Sequence, residues 1–186
     1  IEFIRGSITD YSLLQKVLTG IEVVVHLASE TGTGQSMYEI DKYTNVNVQG
    51  TAKLMEVIIN NKIKLKKFIL ASSRSVYGEG AYSCQKCNLS RHVPPSRPLS
   101  QLKKNIWDIL CPLCNFPMMS LSTKESDILQ PASIYAANKL SQENLVKISC
   151  TSSNIDYSIL RLQNVYGEGQ SLINPYTGIL SIFSTK

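Results

Sequence analysis

The chain has 186 residues, 43% of them hydrophobic and 18% charged, which is enough to bury the core of one soluble domain. It contains no run of 18 or more apolar residues, which argues against a membrane span. The net charge of +5 is mildly basic. The densest basic run, KIKLKKF at 62–68, is interpreted as a solvated helix end rather than a nucleic-acid site, because no basic stripe with interleaved aromatic residues accompanies it.

Apolar runs and amphipathic segments alternate along most of the chain, and this alternation predicts a parallel α/β sheet with right-handed crossovers. The predicted strands are IEFI (1–4), EVVVHLA (22–28), KFILAS (67–72) and IDYSILRL (155–162). The predicted helices cover 10–18, about 40–60 and 133–149, with Asp10 and Ser133 as N-caps. Support for the helix at 40–60 comes from the apolar spacing of Val46, Val48, Leu54, Val57 and Ile58.

Residues 79–130 interrupt this alternation and are interpreted as an insertion into an α/β domain that comprises 1–78 and 131–186. The insertion holds the single tryptophan, Trp107, and two C-x-x-C pairs, CQKC at 84–87 and CPLC at 111–114. In a chain without a secretory signal such pairs favour metal binding over disulfides, and four thiolates suit tetrahedral zinc. Reduced thiols and a redox pair are the alternatives. The predicted metal ligands are Cys84, Cys87, Cys111 and Cys114.

The fifth cysteine, Cys150, is predicted to be a small buried apolar residue in the helix at 133–149 or just after it.

Polar residues follow several of the predicted strands. His26 and Ser29 end the second strand, Ser73 ends the third, and Asn164 follows the fourth. Ligands of such sheets bind beyond the carboxyl ends of the strands, so these residues are expected to converge. The segment PASIYAANK places a tyrosine and a lysine four residues apart on one face of a predicted helix. That spacing suits a catalytic pair, and it is equally that of two ordinary helix neighbours.

The ordered motifs VVHLAS, NVQGT, FILASSRSVYG, PASIYAANK and LRLQNVYG resemble the extended short-chain dehydrogenase/reductase family. Within it they resemble the NAD-dependent nucleotide-sugar epimerases and dehydratases typified by UDP-galactose 4-epimerase. The resemblance covers essentially the whole chain outside the insertion. It implies a Rossmann-like sheet with helices on both faces, NAD as cofactor, and 4-epimerisation of dTDP-rhamnose or a UDP-hexose through a 4-keto intermediate.

By this resemblance Tyr135 is the catalytic base and Ser73 hydrogen-bonds its hydroxyl. Lys139 contacts the nicotinamide ribose and lowers the pKa of that hydroxyl by its charge. For Asn47, the alternative to a role in organising the site is an exposed polar position on the helix. The implied cofactor-binding residues are Leu27, Ala28, Ser29, Asn47, Ser72, Tyr135 and Lys139. The implied substrate-binding residues are Ser73, Ser75 and Asn164.

The chain departs from the family pattern at two places. The family's dehydratases carry an Asp-Glu pair directly after the Ser73 position, where Arg74 and Ser75 stand here. Elimination would lack its acid and base, which favours epimerisation. A family turn that commonly places an Asp near the adenine has Ser7 instead. A 4-ketoreductase, a dehydratase and a non-catalytic remnant of the family are the alternatives.

The family's G-x-G-x-x-G motif after the first strand is absent, since TGTGQS at 31–36 follows a later strand and lacks that spacing. By the resemblance the chain begins at the family's third strand. We therefore expect a sheet without its first two strands, in a fragment of a longer enzyme. Such a fragment is expected to bind NAD weakly and to be inactive by itself.

The layout of the cysteine insertion resembles the segment that dTDP-L-rhamnose 4-epimerases carry between the serine strand and the tyrosine helix. Family members commonly dimerise through the helices that match 40–60 and 133–149, so a homodimer is expected. The first residues, IEFIRGSITD, lack the regions of a signal peptide. A cytoplasmic location, with no membrane or nucleic-acid partner, is expected.

Overall fold

The computed structural model describes residues 2–170 and residue 183. The chain forms two compact units, one of residues 1–74 with 133–186 and the other of residues 75–132. The strands are β1 (Val23–His26), β2 (Lys67–Ser73), β3 (Ala81–Cys84), β4 (Leu89–His92), β5 (Met119–Leu121) and β6 (Tyr157–Leu162). The α-helices are α1 (Tyr11–Val17), α2 (Ile40–Tyr43), α3 (Gly50–Asn60), α4 (Leu99–Leu102) and α5 (Ile134–Ser152). No helix in the described part of the chain is long and apolar enough to cross a membrane.

The first unit is built on a parallel sheet in the order β1-β2-β6, which confirms the predicted α/β class. The predicted strand at 1–4 is wrong for residues 2–4, which form no strand. A strand is stable only when a neighbour pairs with its backbone groups. β1 pairs with β2, and residues 2–4 have no ladder partner among the described residues, which leaves Phe3 86% exposed.

Helices cover one face of this sheet. Phe68 and Leu70 of β2 are fully buried beneath Val57 and Ile58 of α3 and Val146 of α5. Leu14 and Leu18, from α1 and the residue after it, join the same hydrophobic core. The chain steps across the sheet in one direction, from β1 to β2 to β6, and right-handed crossovers in one direction place their helices on the same side.

The prediction of helices on both faces is therefore wrong for the described residues. Side chains alternate along a strand, and the residues that point away from the helices are exposed. Val23 and Val25 of β1 are 48% and 55% exposed, and Leu160 and Leu162 of β6 are 45% and 40% exposed. This second face of the sheet is apolar and has no helix packed on it within the described residues.

Both predicted helix caps are confirmed. The carboxylate of Asp10 accepts a hydrogen bond from the amide of Leu13 at 3.0 Å, at the start of α1. The hydroxyl of Ser133 accepts from the amide of Ala136 at 3.1 Å, at the start of α5. Each cap satisfies an amide that has no partner inside its own helix.

The predicted helix at 40–60 is present but irregular, because a π-helical segment at Thr44–Gln49 joins α2 to α3. A π-turn contains an extra residue and so rotates the following side chains relative to a regular α-helix. As a result the polar Asn47 is fully buried, whereas Val46 and Val48 are only half-buried. The alternative of an exposed Asn47 is excluded.

The second unit has an antiparallel sheet in the order β4-β3-β5. Its hydrophobic core is small and consists of Cys84, Ile109, Cys111 and Met118.

We predict that Leu70→Ala lowers the free energy of unfolding by about 2–5 kcal/mol, because the Leu70 side chain is completely buried between the sheet and the helices. Leu160→Ala, on the other face of the same sheet, should cost less than about 1 kcal/mol. Urea denaturation followed by circular dichroism measures both. Equal losses in the two variants would contradict the assignment of the faces.

Candidate active site

Tyr135 and Lys139 lie in the first two turns of α5 and on the same face of the helix. The ammonium nitrogen of Lys139 is 5.8 Å from the centroid of the Tyr135 ring. The amide of Tyr135 donates a hydrogen bond to the hydroxyl of the fully buried Ser36 at 3.0 Å. The polar loop after β1 is thereby attached to the beginning of the helix.

Lys139 is a buried lysine, only 3% exposed, and its Nζ donates to the carbonyl of Ala71 in β2 at 2.9 Å. Burial penalises the charged form and lowers the pKa of Lys139 to about 8. Ala71 is the one hydrogen-bond acceptor, among the described residues, of an ammonium group that carries three donors. This group therefore has donors to offer to a further partner.

Ser73, the last residue of β2, forms a side-chain hydrogen bond with Tyr135. The three predicted catalytic residues, Tyr135, Lys139 and Ser73, are thus brought together at the carboxyl end of β2. Burial raises the pKa of Tyr135, and the Ser73 bond offsets part of that rise. The expected lowering of this pKa by Lys139 is not seen, and the net shift is upward.

An ion pair between the buried Glu143 and the half-buried Arg161 fixes α5 against the sheet one turn after Lys139. Glu143 is 4% exposed and receives hydrogen bonds from Arg161 of β6, one of them at 2.8 Å from Nη2 to Oε2. The hydroxyl of Ser72 in β2 donates to the same carboxylate at 2.5 Å. Ser72, a predicted cofactor-binding residue, thus has its hydroxyl committed to Glu143. Together these bonds set the rotation of α5 and hence the direction of Tyr135 and Lys139.

A second buried polar cluster joins β1, α3 and α5 through His26, Thr51 and Gln142, all under 5% exposed. Nε2 of His26 lies 2.8 Å from Oγ1 of Thr51, and Gln142 donates to the same oxygen at 2.7 Å. The Thr51 hydroxyl donates to the carbonyl of Asn47 at 2.6 Å, so we assign Nε2 of His26 as a donor. Burial, helped by the charge of Lys139, lowers the pKa of His26 to about 4.

Asn47 organises the loop that follows β1. Its side-chain oxygen accepts hydrogen bonds from the amide of Glu30 at 2.7 Å and from the hydroxyl of Ser29 at 3.1 Å. Its side-chain nitrogen donates to the carbonyl of Glu30 at 3.1 Å. A single buried amide therefore satisfies both main-chain groups of one loop residue and fixes the path of the chain beyond β1.

The remaining predicted ligand-binding residues lie in different places. Leu27 and Ala28 are exposed directly after β1, and Asn164 is exposed in the loop after β6. Ser75 belongs to the second unit and is half-buried. The hydroxyl of Ser7, which stands where the family commonly has an Asp, is hydrogen-bonded to Thr9 in its own turn.

The cysteines divide between the two units. Cys150 is fully buried in the core of the first unit, as predicted. In the second unit the sulfur atoms of the four predicted metal ligands all lie within 4.8 Å of one another. Those ligands are Cys84, Cys87, Cys111 and Cys114.

Sequence reasoning missed several residues that hold the site together, namely Ser36, Thr51, Gln142 and Arg161. One signal was available. Gln142 and Glu143 lie three and four residues after Lys139, so a helix places them on the same buried side. Polar residues on the packed side of an amphipathic helix need buried partners, and that requirement could have identified Gln142 and Glu143. The partners themselves come from distant parts of the chain.

Known proteins share this sequence pattern. The sequence model described as the NAD dependent epimerase/dehydratase family matches residues 1–104 and 114–184. The chain is 40% identical to the dTDP-L-rhamnose 4-epimerase of Burkholderia thailandensis over 187 aligned residues, which cover 98% of this chain and 49% of that protein. It is 30% identical to the dTDP-D-glucose 4,6-dehydratase of Dictyostelium discoideum, over 91% of this chain and 33% of that protein.

Solved structures share the fold. The UDP-N-acetylglucosamine 4-epimerase of Methanobrevibacter ruminantium, in complex with UDP-N-acetylmuramic acid, superposes with a TM-score of 0.69 at 29% identity, over 98% of this chain and 46% of that one. The UDP-glucuronic acid 4-epimerase of Bacillus cereus, in complex with UDP-glucuronic acid and NAD, gives a TM-score of 0.66 at 29% identity, over 93% and 42%. The chain spans about half or less of the length of these relatives.

We predict that the free energy of unfolding falls as the pH decreases from about 6.5 to about 4, by up to about 3 kcal/mol from His26 alone. The native state holds this imidazole neutral, whereas the unfolded chain takes up a proton below pH 6.5, so acid favours unfolding. Urea titrations at several pH values measure the effect. His26→Gln should remove this part of the pH dependence.

The matched control is His92→Gln, which replaces the second of the two histidines, in β4. If the His92 variant lost the same pH dependence, or the His26 variant kept it, buried His26 would not be its source.

Proposed function

Because the chain belongs to the NAD-dependent epimerase/dehydratase family, we propose that it carries the catalytic residues of an NAD-dependent nucleotide-sugar 4-epimerase. The sugar, dTDP-rhamnose or a UDP-hexose, is oxidised at C4 and reduced again on the opposite face through a 4-keto intermediate. The observation that carries this proposal is the grouping of Tyr135, Lys139 and Ser73 at the carboxyl end of β2, where α/β sheets bind their ligands.

The residues present fit the nicotinamide end of NAD. Lys139 is a buried ammonium with one protein acceptor among the described residues, and the ribose hydroxyls are acceptors of the kind its remaining donors need. Leu27, Ala28 and Ser29, in the loop that Asn47 holds after β1, are the other residues that we assign to the cofactor. When bound, NAD supplies the hydride acceptor and a positively charged ring.

Tyr135 acts as the general base and then as the general acid in this mechanism. As the deprotonated tyrosinate, its oxygen receives the proton of the sugar's C4 hydroxyl while that carbon is oxidised, and it returns the proton when the 4-keto group is reduced. Ser73 orients the tyrosine through their hydrogen bond. Burial disfavours the charged tyrosinate, so the proposal requires the positive charge of Lys139 to stabilise that form when the proton is transferred. Lys139 acts here as a positioning and charged group.

Epimerisation is favoured over dehydration by the residues that follow Ser73. Arg74 and Ser75 supply no carboxylate where elimination would need an acid and a base. The similarity to a dTDP-L-rhamnose 4-epimerase at 40% identity agrees with this choice. A 4-ketoreductase uses the same catalytic residues and is the nearest alternative. We assign Ser73, Ser75 and Asn164 to the substrate, whereas homodimerisation and a cytoplasmic location stay predictions.

We predict that Tyr135→Phe, in the longest natural form of the polypeptide, lowers kcat for interconversion of dTDP-L-rhamnose and its C4 epimer roughly 100- to 10,000-fold. The variant keeps the ring and loses only the proton-transferring oxygen. Proton NMR of the reaction follows both sugars, with UDP-galactose as the second substrate. NADH is omitted, because an epimerase needs no net reductant whereas a reductase does.

Tyr157→Phe is the matched control, since Tyr157 begins β6 at the opposite end of the sheet from the proposed site. It should keep wild-type activity. Turnover that requires added NADH would point to the reductase, loss of water from the sugar would point to the dehydratase, and an active Tyr135→Phe variant would exclude the proposed base.

We predict that the 186-residue chain alone binds NAD more weakly than micromolar. Its sequence lacks the glycine-rich loop that cradles the pyrophosphate after the first strand, and Val23, Val25 and Leu27 of the β1 region are exposed to solvent. Isothermal titration calorimetry measures the affinity, and a urea transition of the same sample shows that the chain is folded. Tight binding would show that the described fold is sufficient for the cofactor.

A further inference from the structure

The second unit contains a cluster of four sulfur atoms that takes no part in the proposed sugar chemistry. Sγ of Cys84 lies 3.5 Å from that of Cys114, and Sγ of Cys87 lies 3.4 Å from that of Cys111. All four sulfurs are within 4.8 Å of one another. We propose that these cysteines bind one Zn²⁺ ion in a tetrahedral tetrathiolate site that stabilises the fold of the second unit.

The spacing of the sulfurs fits a central ion. Zinc–sulfur bonds of about 2.3 Å in a tetrahedron place the sulfurs about 3.8 Å apart, within the range that the cluster covers. Two disulfides would instead join the sulfurs in pairs at about 2.05 Å and would give no reason for each sulfur to lie close to all three others. The four thiols are not joined by disulfides in the structure.

The two C-x-x-C segments have the same local geometry. In each, the residue after the second cysteine is an asparagine with positive φ, 58° for Asn88 and 55° for Asn115. This conformation turns the chain back sharply, and asparagine tolerates it better than most residues. The first segment connects β3 to β4, and the second lies inside the bridge between Leu110 and Pro117. The two sulfurs of the first turn therefore face the two sulfurs of the second turn.

Main-chain groups also hydrogen-bond the sulfurs in a repeated pattern. Leu89 bonds the sulfur of Cys87 and Phe116 bonds that of Cys114, in each case from two residues further along the chain. The main chain of Leu113, two residues after Cys111, hydrogen-bonds the sulfur of Cys111 in the same way. Main-chain groups directed at the sulfurs in this repeated way give the two turns matching local conformations.

The small hydrophobic core of the second unit suggests that the ion would stabilise its fold. Two of its four buried members, Cys84 and Cys111, are cysteines, and Cys87 and Cys114 pack at its edge. A unit with so few apolar side chains buries too little surface to offset its conformational entropy, and small domains of this kind are usually stabilised by metals or disulfides. Four cysteine ligands also leave no open coordination position, so a catalytic role for the metal is excluded.

Lys86 of the first turn complements this site. Its ammonium lies 5.6 Å from the centroid of the Phe116 ring, which follows the second turn. One Zn²⁺ with four thiolates carries a net charge of −2, and a lysine inside the first C-x-x-C segment offsets part of it.

The test is the metal content of the chain purified under reducing conditions without a metal-affinity tag, measured by inductively coupled plasma mass spectrometry. We expect one zinc per chain for the wild type and for Cys150→Ala, which alters the one cysteine outside the cluster. Cys84→Ser and Cys111→Ser, one from each turn, should each lose most of the zinc.

A second measurement keeps the proposal testable when a serine variant fails to fold. Co²⁺ added to the reduced, metal-free wild type should give the intense visible absorption of a tetrahedral thiolate site, and Zn²⁺ should remove it. Hydrogen exchange should show that a chelator exposes the amides of β3, β4 and β5 while α5 stays protected.

Wild-type protein without zinc, with iron in its place, or with the mass of two disulfides would overturn the proposal. So would Cys150→Ala losing zinc as readily as Cys84→Ser, or Co²⁺ without a tetrahedral spectrum. None of these measurements depends on turnover, so the zinc site and the epimerase activity can fail independently of each other.

Discussion

The docking of α5 on the parallel sheet is the interaction on which the candidate active site depends. Lys139 donates to the carbonyl of Ala71, and Glu143 one turn later binds Arg161 of the neighbouring strand, both in buried surroundings. A buried charge is expensive unless it is paired, so a rotation or slide of this helix would leave two charges without partners. That cost fixes the direction of Tyr135.

The same arrangement explains why the helix packs through polar residues. A helix held only by leucines can change its packing at modest cost, whereas hydrogen bonds at defined distances permit one position. His26, Thr51 and Gln142 extend this buried polar layer to β1 and α3. Protonation of His26 would place a charge in this buried polar layer. Acid therefore lowers the stability of β1, α3 and α5, which this layer joins.

The cysteine cluster lies in the unit that has the smaller hydrophobic core. The first unit has a continuous apolar core formed by three helices and a sheet, but the second has little apolar material to bury. A central ion would replace that missing core with four directed bonds. Structural stability in the two units would then come from different sources, hydrophobic burial in one and metal coordination in the other.

The α/β class and both helix caps could be predicted from local periodicity and capping residues, whereas the grouping of Tyr135, Lys139 and Ser73 was expected from the resemblance of the motifs to a known family. Three features could not be predicted, namely which face of the sheet the helices cover, the burial of Asn47 by a π-turn, and the absence of a strand at residues 2–4. Each of these depends on contacts between distant segments. The direction of the pKa shift of Tyr135 also depends on the folded structure, because the desolvation that raises this pKa results from packing and not from the sequence spacing to Lys139.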